Sequence, residues 1–420
     1  MPRPTHEPRV SLSTIAREWG RIGVLGFGGP PAHIALLREL CVDRRRWLDA
    51  RSFEDGIAAT NLVPGPASTQ LAILCAWRLR GAAGAVLGGV CFIVPGLALI
   101  LLLAAVFLAG DPPRWVLGAA AGAGAAVAAV AVQAGLSLVP DSLRRAEGRG
   151  ARARWAGYVL AGGLAAVLVG PWLVLLLVAA GLAEVAVRRR TGQPRPGGRP
   201  AAVGSGAARR NEAGDAREAE AAGRSDRRRL WLLAAAVPVT TAAASLSALT
   251  WVAFKVGALS YGGGFVIIPL MQSDAVGGHG WMTDGEFLNA VALGQITPGP
   301  VVQTVAVVGY AAAGVWGGLV AAAVAFGPSF LLVVLGARHF ERLRALPAVR
   351  SFFLGAGPAV IGAICGSAVP LALALGHAWQ FGVLALAGCW LLLRRGGVVS
   401  TLLAAGALGV LAALLGWPVG

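Results

Sequence analysis

Long apolar runs alternate along the chain with short clusters of arginine, proline and glycine, and only 13% of the 420 residues are charged. The runs over 82–108 (AAGAVLGGVCFIVPGLALILLLAAVFL) and 314–335 each meet the length a helix needs to cross ~30 Å of hydrocarbon. They are rich in Ala, Gly and Leu and lack the period-two alternation of barrel strands. An isolated spanning segment satisfies its own backbone only as a helix. The pattern therefore predicts an all-α, polytopic integral membrane protein. Residues 155–187 leave the span count open, because 33 residues with Gly170-Pro171 in the middle are long for one crossing and short for two. Residues 1–11 hold no apolar core with a cleavage site, so no removable signal peptide is expected.

Two stretches break this pattern where a helix should run on: GFGGPPAHI at 26–34 and SYGGGFVIIP at 260–269. They belong to two copies of one unit. At an offset of 234 the residues from 27 to 70 align without a gap: Phe27 meets Tyr261, Gly28 and Gly29 meet Gly262 and Gly263, Pro30 meets Gly264, and Trp47 meets Trp281. Asn61 falls on Gln295, Pro64-Gly65-Pro66 on Pro298-Gly299-Pro300, and Gln70 on Thr304. In each copy a segment emerges from Pro-Gly-Pro, to about residue 80 or 313, and long spans follow. The expected organisation is an N-terminal repeat (1–187), an Arg/Gly/Ala-rich linker (188–229) and a C-terminal repeat (230–420). The repeats are expected to be inverted, each with broken or re-entrant helices, and to face one another across a single cavity.

Proline inside a helix removes a donor and clashes one turn back, so Pro-Gly-Pro ends one helix and starts the next. Thr297 is placed to N-cap the restarted helix. The restarts would present the N–H groups of Ala67 and Ser68, and of Val301 and Val302. Inside a bilayer such donors require a ligand, water or a partner group. A helix N-terminus is an anion site, and Ser68, Thr69, Gln70, Gln303 and Thr304 lie within a turn or so of it, as a pocket for oxygen atoms needs. Gly28, Gly29, Gly262 and Gly263 permit close approach of backbone or substrate, and Pro30 and Pro31 open a second short helix. The plainer reading makes the glycines packing notches and the prolines kinks. Duplication of Pro-Gly-Pro followed by polar residues favours a site.

Charge sharpens the picture. Of 36 basic residues the sole lysine is Lys255, six residues before Tyr261, and at the same offset it meets Arg21, six before Phe27. A cation at that depth is costly and marks a pathway, or else snorkels to the interface. Both are expected to project towards the Pro-Gly-Pro helix ends. Asp55, opposite Asn289, is the candidate coupling carboxylate, with a cap or salt bridge as its alternative. The net charge of +16 does not point to nucleic acid: residues 188–229 carry 12 arginines against five acidic residues but no aromatic for stacking. They read as a disordered cytoplasmic tether beside anionic lipid. The five cysteines and five histidines are scattered, so no disulfide framework, metal or cofactor is expected. No Gly-x-Ser-x-Gly or His-Glu-x-x-His motif suggests an enzyme.

GFGGP with NLVPGP, repeated as SYGGG with QITPGP and followed by Gly309-Tyr310, resembles the chromate ion transporter family in its long, two-domain form. The resemblance spans roughly 12–187 and 245–416 and omits the linker. It implies export of chromate, a tetrahedral divalent oxyanion, across the bacterial inner membrane, driven by the membrane potential or a proton gradient. The motif residues it would assign to substrate are Phe27, Gly28, Gly29, Pro30, Asn61, Pro64, Gly65 and Pro66, with Tyr261, Gly262, Gly263, Gly264, Gln295, Pro298, Gly299 and Pro300. Sulfate or a related oxyanion is the alternative substrate, uptake the alternative direction, and an intramembrane enzyme handling lipid phosphate the alternative class. The partners expected are the oxyanion and the lipid bilayer, with a homodimer also considered and nucleic acid excluded.

Overall fold

The computed structural model describes residues 10–61, 65–108, 112–168, 173–190, 246–260, 264–265, 267–337, 346–393 and 396–419. Pro64, Tyr261, Gly262, Gly263 and nearly all of the expected linker lie outside them. Every regular element among the described residues is helical. The first half contains α1 (Leu12–Leu25), α2 (Pro30–Arg38) with a π-helical continuation (Glu39–Arg44), α3 (Ala50–Thr60), α4 (Ala67–Phe107), α5 (Arg114–Arg144), α6 (Arg149–Leu168) and α7 (Leu173–Arg190). The second half repeats the order: α8 (Leu246–Leu259), α9 (Ile267–Gln272) with its own π continuation (Ser273–Gly278), α10 (Asp284–Ile296), a 3-10 turn (Val301–Gln303) leading into α11 (Thr304–Gly336), then α12 (Pro347–Leu373), α13 (Ala378–Leu393) and α14 (Val398–Leu414). The ambiguous stretch before the linker is thus two helices, α6 and α7. Among the described residues four helical stretches, Ala67–Phe107, Arg114–Arg144, Val301–Gly336 and Pro347–Leu373, are long and apolar enough to cross a membrane.

α4 and α11 are hairpins rather than rods. Arg80 (φ −146°, ψ 19°) and Gly81 (φ 62°, ψ −149°) reverse the chain in α4, and Ala313 (φ −154°, ψ 32°) and Gly314 (φ 63°, ψ −155°) do so in α11. That second conformation is open almost only to glycine. After the reversal Gly84 and Gly88 lie against Ala76, and Gly317 against Gly309, so the arms are in van der Waals contact. The first arm of α4, which starts at the Pro-Gly-Pro, covers only ~20 Å at 1.5 Å per residue. It is a re-entrant helix, and its second arm makes the crossing. α1 and α8 are wedged against these hairpins through Gly23 on the Phe92 carbonyl and Gly257 on the Ala325 carbonyl.

The direction of α5 and α12, which occupy the same place in the two halves, fixes how the halves are related. Ser142 near the end of α5, Trp155 and Tyr158 in the first turns of α6, and Glu184 and Arg188 at the end of α7 meet around one small cavity. Trp155 donates to Ser142 Oγ (2.9 Å), while Arg154 and Arg188 each pair with Glu184 (2.8 Å). Leu354, eight residues into α12, lines the same cavity, whereas Gly135, further back along α5, packs on Ile361 and Cys365. α5 therefore runs towards this end and α12 away from it. The halves are inverted. They are also interlocked: α5 packs on α13 and α14 of the other half, and α12 on α6 and α7. The seams are made of small residues, Gly118 on Gly409, Gly122 on Ala405 and Gly162 on Ala359, which lets backbones touch where no hydrophobic force drives helices together.

Candidate functional site

α1 and α8 both stop inside the protein, and a helix that stops leaves carbonyls without partners. Pro-Gly-Pro supplies donors to them. Proline has no N–H, so glycine carries the sole donor of each tripeptide. Gly65 N–H donates to the Ser260 carbonyl at the end of α8 (2.7 Å), and Gly299 N–H donates to the Gly26 carbonyl at the end of α1 (3.0 Å). Ser260 is the counterpart of Gly26, and Gly65 of Gly299. Each half therefore satisfies the other half's broken helix. Gly65 (φ 126°) and Gly299 (φ 111°) take conformations that L side chains avoid.

Beyond each Pro-Gly-Pro a helix begins with no side-chain cap. Pro66 and Pro300 stand at the N-caps, and the first backbone bonds back to them come from Gln70 N–H (3.0 Å) and Gln303 N–H (2.9 Å). The N–H groups of Ala67, Ser68 and Thr69, and of Val301 and Val302, precede those bonds. The surrounding side chains are polar and deeply buried: His33, Ser68, Thr69, Gln70, Ser260, Gln303, Thr304 and Ser329 are each at most 1% exposed. Among the described residues Thr69 Oγ1, Ser260 Oγ, Gln295 Nε2, Gln303 Oε1 and Ser329 Oγ are buried without a hydrogen-bond partner. Buried polar groups are normally paired, so this concentration fits a place that receives water or a hydrogen-bonding ligand. Gly29 and Gly264 both face Val301, at 3.9 and 3.3 Å from where their Cβ atoms would stand, which brings the breaks of both halves to one helix start.

Comparison with known proteins decides the family. A family model described as Chromate transporter matches residues 13–185 and 247–416. The chain belongs to the chromate transporter family. It is 30% identical over 373 residues to the chromate transport protein of Cupriavidus metallidurans, covering 87% of this chain and 84% of that one. It is 26% identical to a probable chromate transport protein of Synechococcus elongatus (92% of each chain), and 27% identical to the chromate transport protein of Pseudomonas aeruginosa (87% of this chain, 82% of that one). No solved structure matches.

Within this chromate transporter the geometry revises several expectations. Thr297 does not cap the restarted helix. It closes the preceding one, with its N–H and its hydroxyl both on the Leu293 carbonyl (3.0 and 2.8 Å). The offset of 234 holds through Pro66 and Pro300 and then slips to 233, because the 3-10 turn is one residue shorter than the start of α4. The structural partner of Gln70 is Gln303, not Thr304: Gln70 lies against Gly65 and Gln303 against Gly299. Gln303 also donates to the Ile93 carbonyl of the other half (2.8 Å), and Thr304 to the Val301 carbonyl (2.8 Å). Lys255 does not reach for the helix ends but pairs with Asp274 in the second π segment (2.6 Å). Arg21 is exposed on α1. Glu18, the carboxylate nearest to it in sequence, is held by Arg44 (2.8 Å) and Arg45 (2.9 Å) instead.

The remaining motif residues divide by depth. Pro30 starts α2 as expected, with Gly28 (φ 96°) and Gly29 (φ 71°) before it. Phe27 is 42% exposed and Asn61, at the end of α3, is exposed, while its counterpart Gln295 is buried. Asp55 is half-buried on α3. Three buried polar residues escaped sequence reasoning: His33, Ser260 and Ser329. Ser260 could have been found as the residue entering the second break. Ser329 follows Pro328 on the far arm of α11, and its hydroxyl lies 3.0 Å from where a Gly65 side chain would begin. His33 sits in the opening motif itself.

Proposed function

We propose that the chain is a secondary transporter that exports chromate from the cytoplasm of a bacterium, embedded in the inner membrane with its linker on the cytoplasmic side, and driven by the membrane potential or a proton gradient. The relatives it resembles along most of its length carry chromate transport in their names. The observation that carries the reading is the crossing of the two Pro-Gly-Pro elements: two uncapped helix starts beside buried hydroxyl and amide groups that lack partners. A tetrahedral dianion suits this arrangement. Its oxygens accept from several N–H and O–H donors at once, and the partial positive charge of a helix start offsets part of its charge without a mobile cation. Neither Lys255 nor Arg21 touches the crossing, so the anion is recognised by dipoles and hydroxyls, and its release is not opposed by a tight ion pair. The backbone bonds between halves, Gly65 to Ser260 and Gly299 to Gly26, make this crossing the joint about which the halves move when the site changes sides. Sulfate, of the same shape and charge, is the expected competitor.

Labelled chromate flux into inside-out vesicles, with and without an imposed potential, tests the reading. Potential-dependent accumulation of unaltered chromate, reduced by excess sulfate, is the expected result. Vesicles that accumulate none, or that change the ion chemically, would remove it.

A further inference from the structure

The two Pro-Gly-Pro contacts look alike at the backbone but differ in their support. Gly26, whose carbonyl receives Gly299 N–H, also accepts from His33 Nε2 (2.9 Å). The other ring nitrogen, Nδ1, faces Ser68 Oγ (3.1 Å) in the first turn after the first Pro-Gly-Pro. A carbonyl can only accept, so Nε2 carries the proton, Nδ1 is the acceptor, and the Ser68 hydroxyl donates to it. Phe92, on the far arm of α4, meets the ring edge-on (centroids 5.0 Å apart, interplanar angle 83°), and the ring is fully buried. Gly26 has no room for a side chain here, since a Cβ would stand 2.7 Å from His33 Cδ2. At the counterpart position the second half has Ile267, which can make neither bond, so the Gly65–Ser260 contact has no such brace.

We infer that His33 is a positioning residue for the anion path: it holds the Gly26 carbonyl in place to receive Gly299 and orients the Ser68 hydroxyl at the start of the re-entrant helix. One imidazole thus ties three elements together: the first-half break, the first Pro-Gly-Pro helix and the second-half Pro-Gly-Pro. Among the described residues the opposite contact, Gly65 to Ser260, is tied by a single backbone bond. The crossing is a hinge with one braced side and one free side, and it is the Gly65–Ser260 side that parts during the transport cycle. This inference rests on the proposed transport function, and it divides the two nitrogens into separable roles. Nδ1, through Ser68, fixes the first turn of the helix whose N–H groups meet the ion, while Nε2, through Gly26, fixes the interface between the halves.

Amide side chains separate those roles, because glutamine places a donor near the position of Nε2 and asparagine an acceptor near that of Nδ1. In proteoliposomes, H33Q should keep a maximal chromate flux within about threefold of the unmodified protein while its KM rises about five- to tenfold, the scale of one lost hydrogen bond. S68A should show the same rise, and the double variant H33Q/S68A should show no more than either alone. H33N should do the reverse, with a KM near that of the unmodified protein and a maximal flux down tenfold or more. Equal losses in H33Q and H33N, or an H33Q/S68A effect equal to the product of the singles, would show a merely structural histidine and overturn the inference. Nitrogen-15 spectra of histidine-labelled protein provide an arm independent of transport. His33 should be the Nε2–H tautomer, with an Nδ1 resonance that moves in S68A. An Nδ1–H tautomer overturns the inference even if chromate flux is robust, whereas absent flux in the unmodified protein with the expected spectra counts against the transport reading alone.

Discussion

Gly65 and Gly299 each carry two constraints at once, a left-handed backbone and no space for a Cβ, which would collide with the Gln70 or Gln303 side chain. G65A and G299A are therefore expected to lose about 2–4 kcal/mol, combining backbone strain with a clash in a close-packed site. G148A supplies the comparison, since Gly148 has φ 88° but nothing within 4 Å of its Cβ position, and should lose only the backbone share, about 1 kcal/mol. Thermal melting in detergent measures all three, and equal losses would show that the contact with glutamine is immaterial. At Lys255 the expectation turns on Asp274. K255M leaves that mostly buried carboxylate without its partner and should destabilise by about 1–3 kcal/mol with little change in chromate KM. The counterpart of Asp274 in the first half is Leu40, so K255M/D274L should recover most of the loss. A large KM increase in K255M with unchanged melting would return the lysine to the anion path. Sequence marked the cation that precedes the second break but could not see its partner, because the aspartate lies 19 residues away and only the fold brings them together.

Among elements, the hairpins decide the architecture. Their corners were legible as the ends of segments near 80 and 313, and the apolar runs that follow coincide with the far arms of α4 and α11. The Pro-Gly-Pro breaks were legible for the same reason, since proline and glycine state their backbone consequences locally. What the sequence hid was the fine register. A 3-10 turn absorbs one residue after Pro300, an ungapped offset cannot show it, and so Gln70 was paired with Thr304 instead of Gln303. His33 escaped because a single histidine in an apolar helix has no repeat to mark it, its counterpart being Ile267. The corner at Gly81 provides an element-scale prediction. Its φ of 62° with ψ of −149° belongs to glycine alone, and no atom within 4 Å would oppose a side chain, so G81A should lose about 1–3 kcal/mol through the backbone only. G157A, at an open helical position of α6, should be neutral or slightly stabilising. Melting of the two variants checks the difference in sign.

At the scale of the molecule, inversion was legible from the duplicated breaks and from the economy of building one cavity from two copies. The interlocking of α5 and α12 was not legible, because it depends on which small-residue faces meet. Inversion has a direct consequence for labelling. Trp47 and Trp281 are counterparts, both half-buried, beside the π segments of their respective halves. In a background without the five native cysteines, W47C and W281C should react with an impermeant thiol reagent from opposite faces of the membrane. Reaction of both from the same face would contradict the antiparallel course of α5 and α12.

The exchanged backbone bonds at Pro-Gly-Pro also bear on how the two copies could diverge. A contact made between an N–H and a carbonyl is indifferent to the side chains beside it. Gly26 and Ser260 serve equally as acceptors, and the helix starts that follow differ freely, Ala67 against Val301. A duplicated chain held together in this way can keep its joint intact while each mouth of the pathway acquires its own chemistry, a histidine and serine at one and an isoleucine at the other. An ion passing through would then meet two unlike surfaces in sequence, although the frame that holds them is nearly symmetric. A preference for one direction of travel can arise from that difference in side chains without any change to the frame.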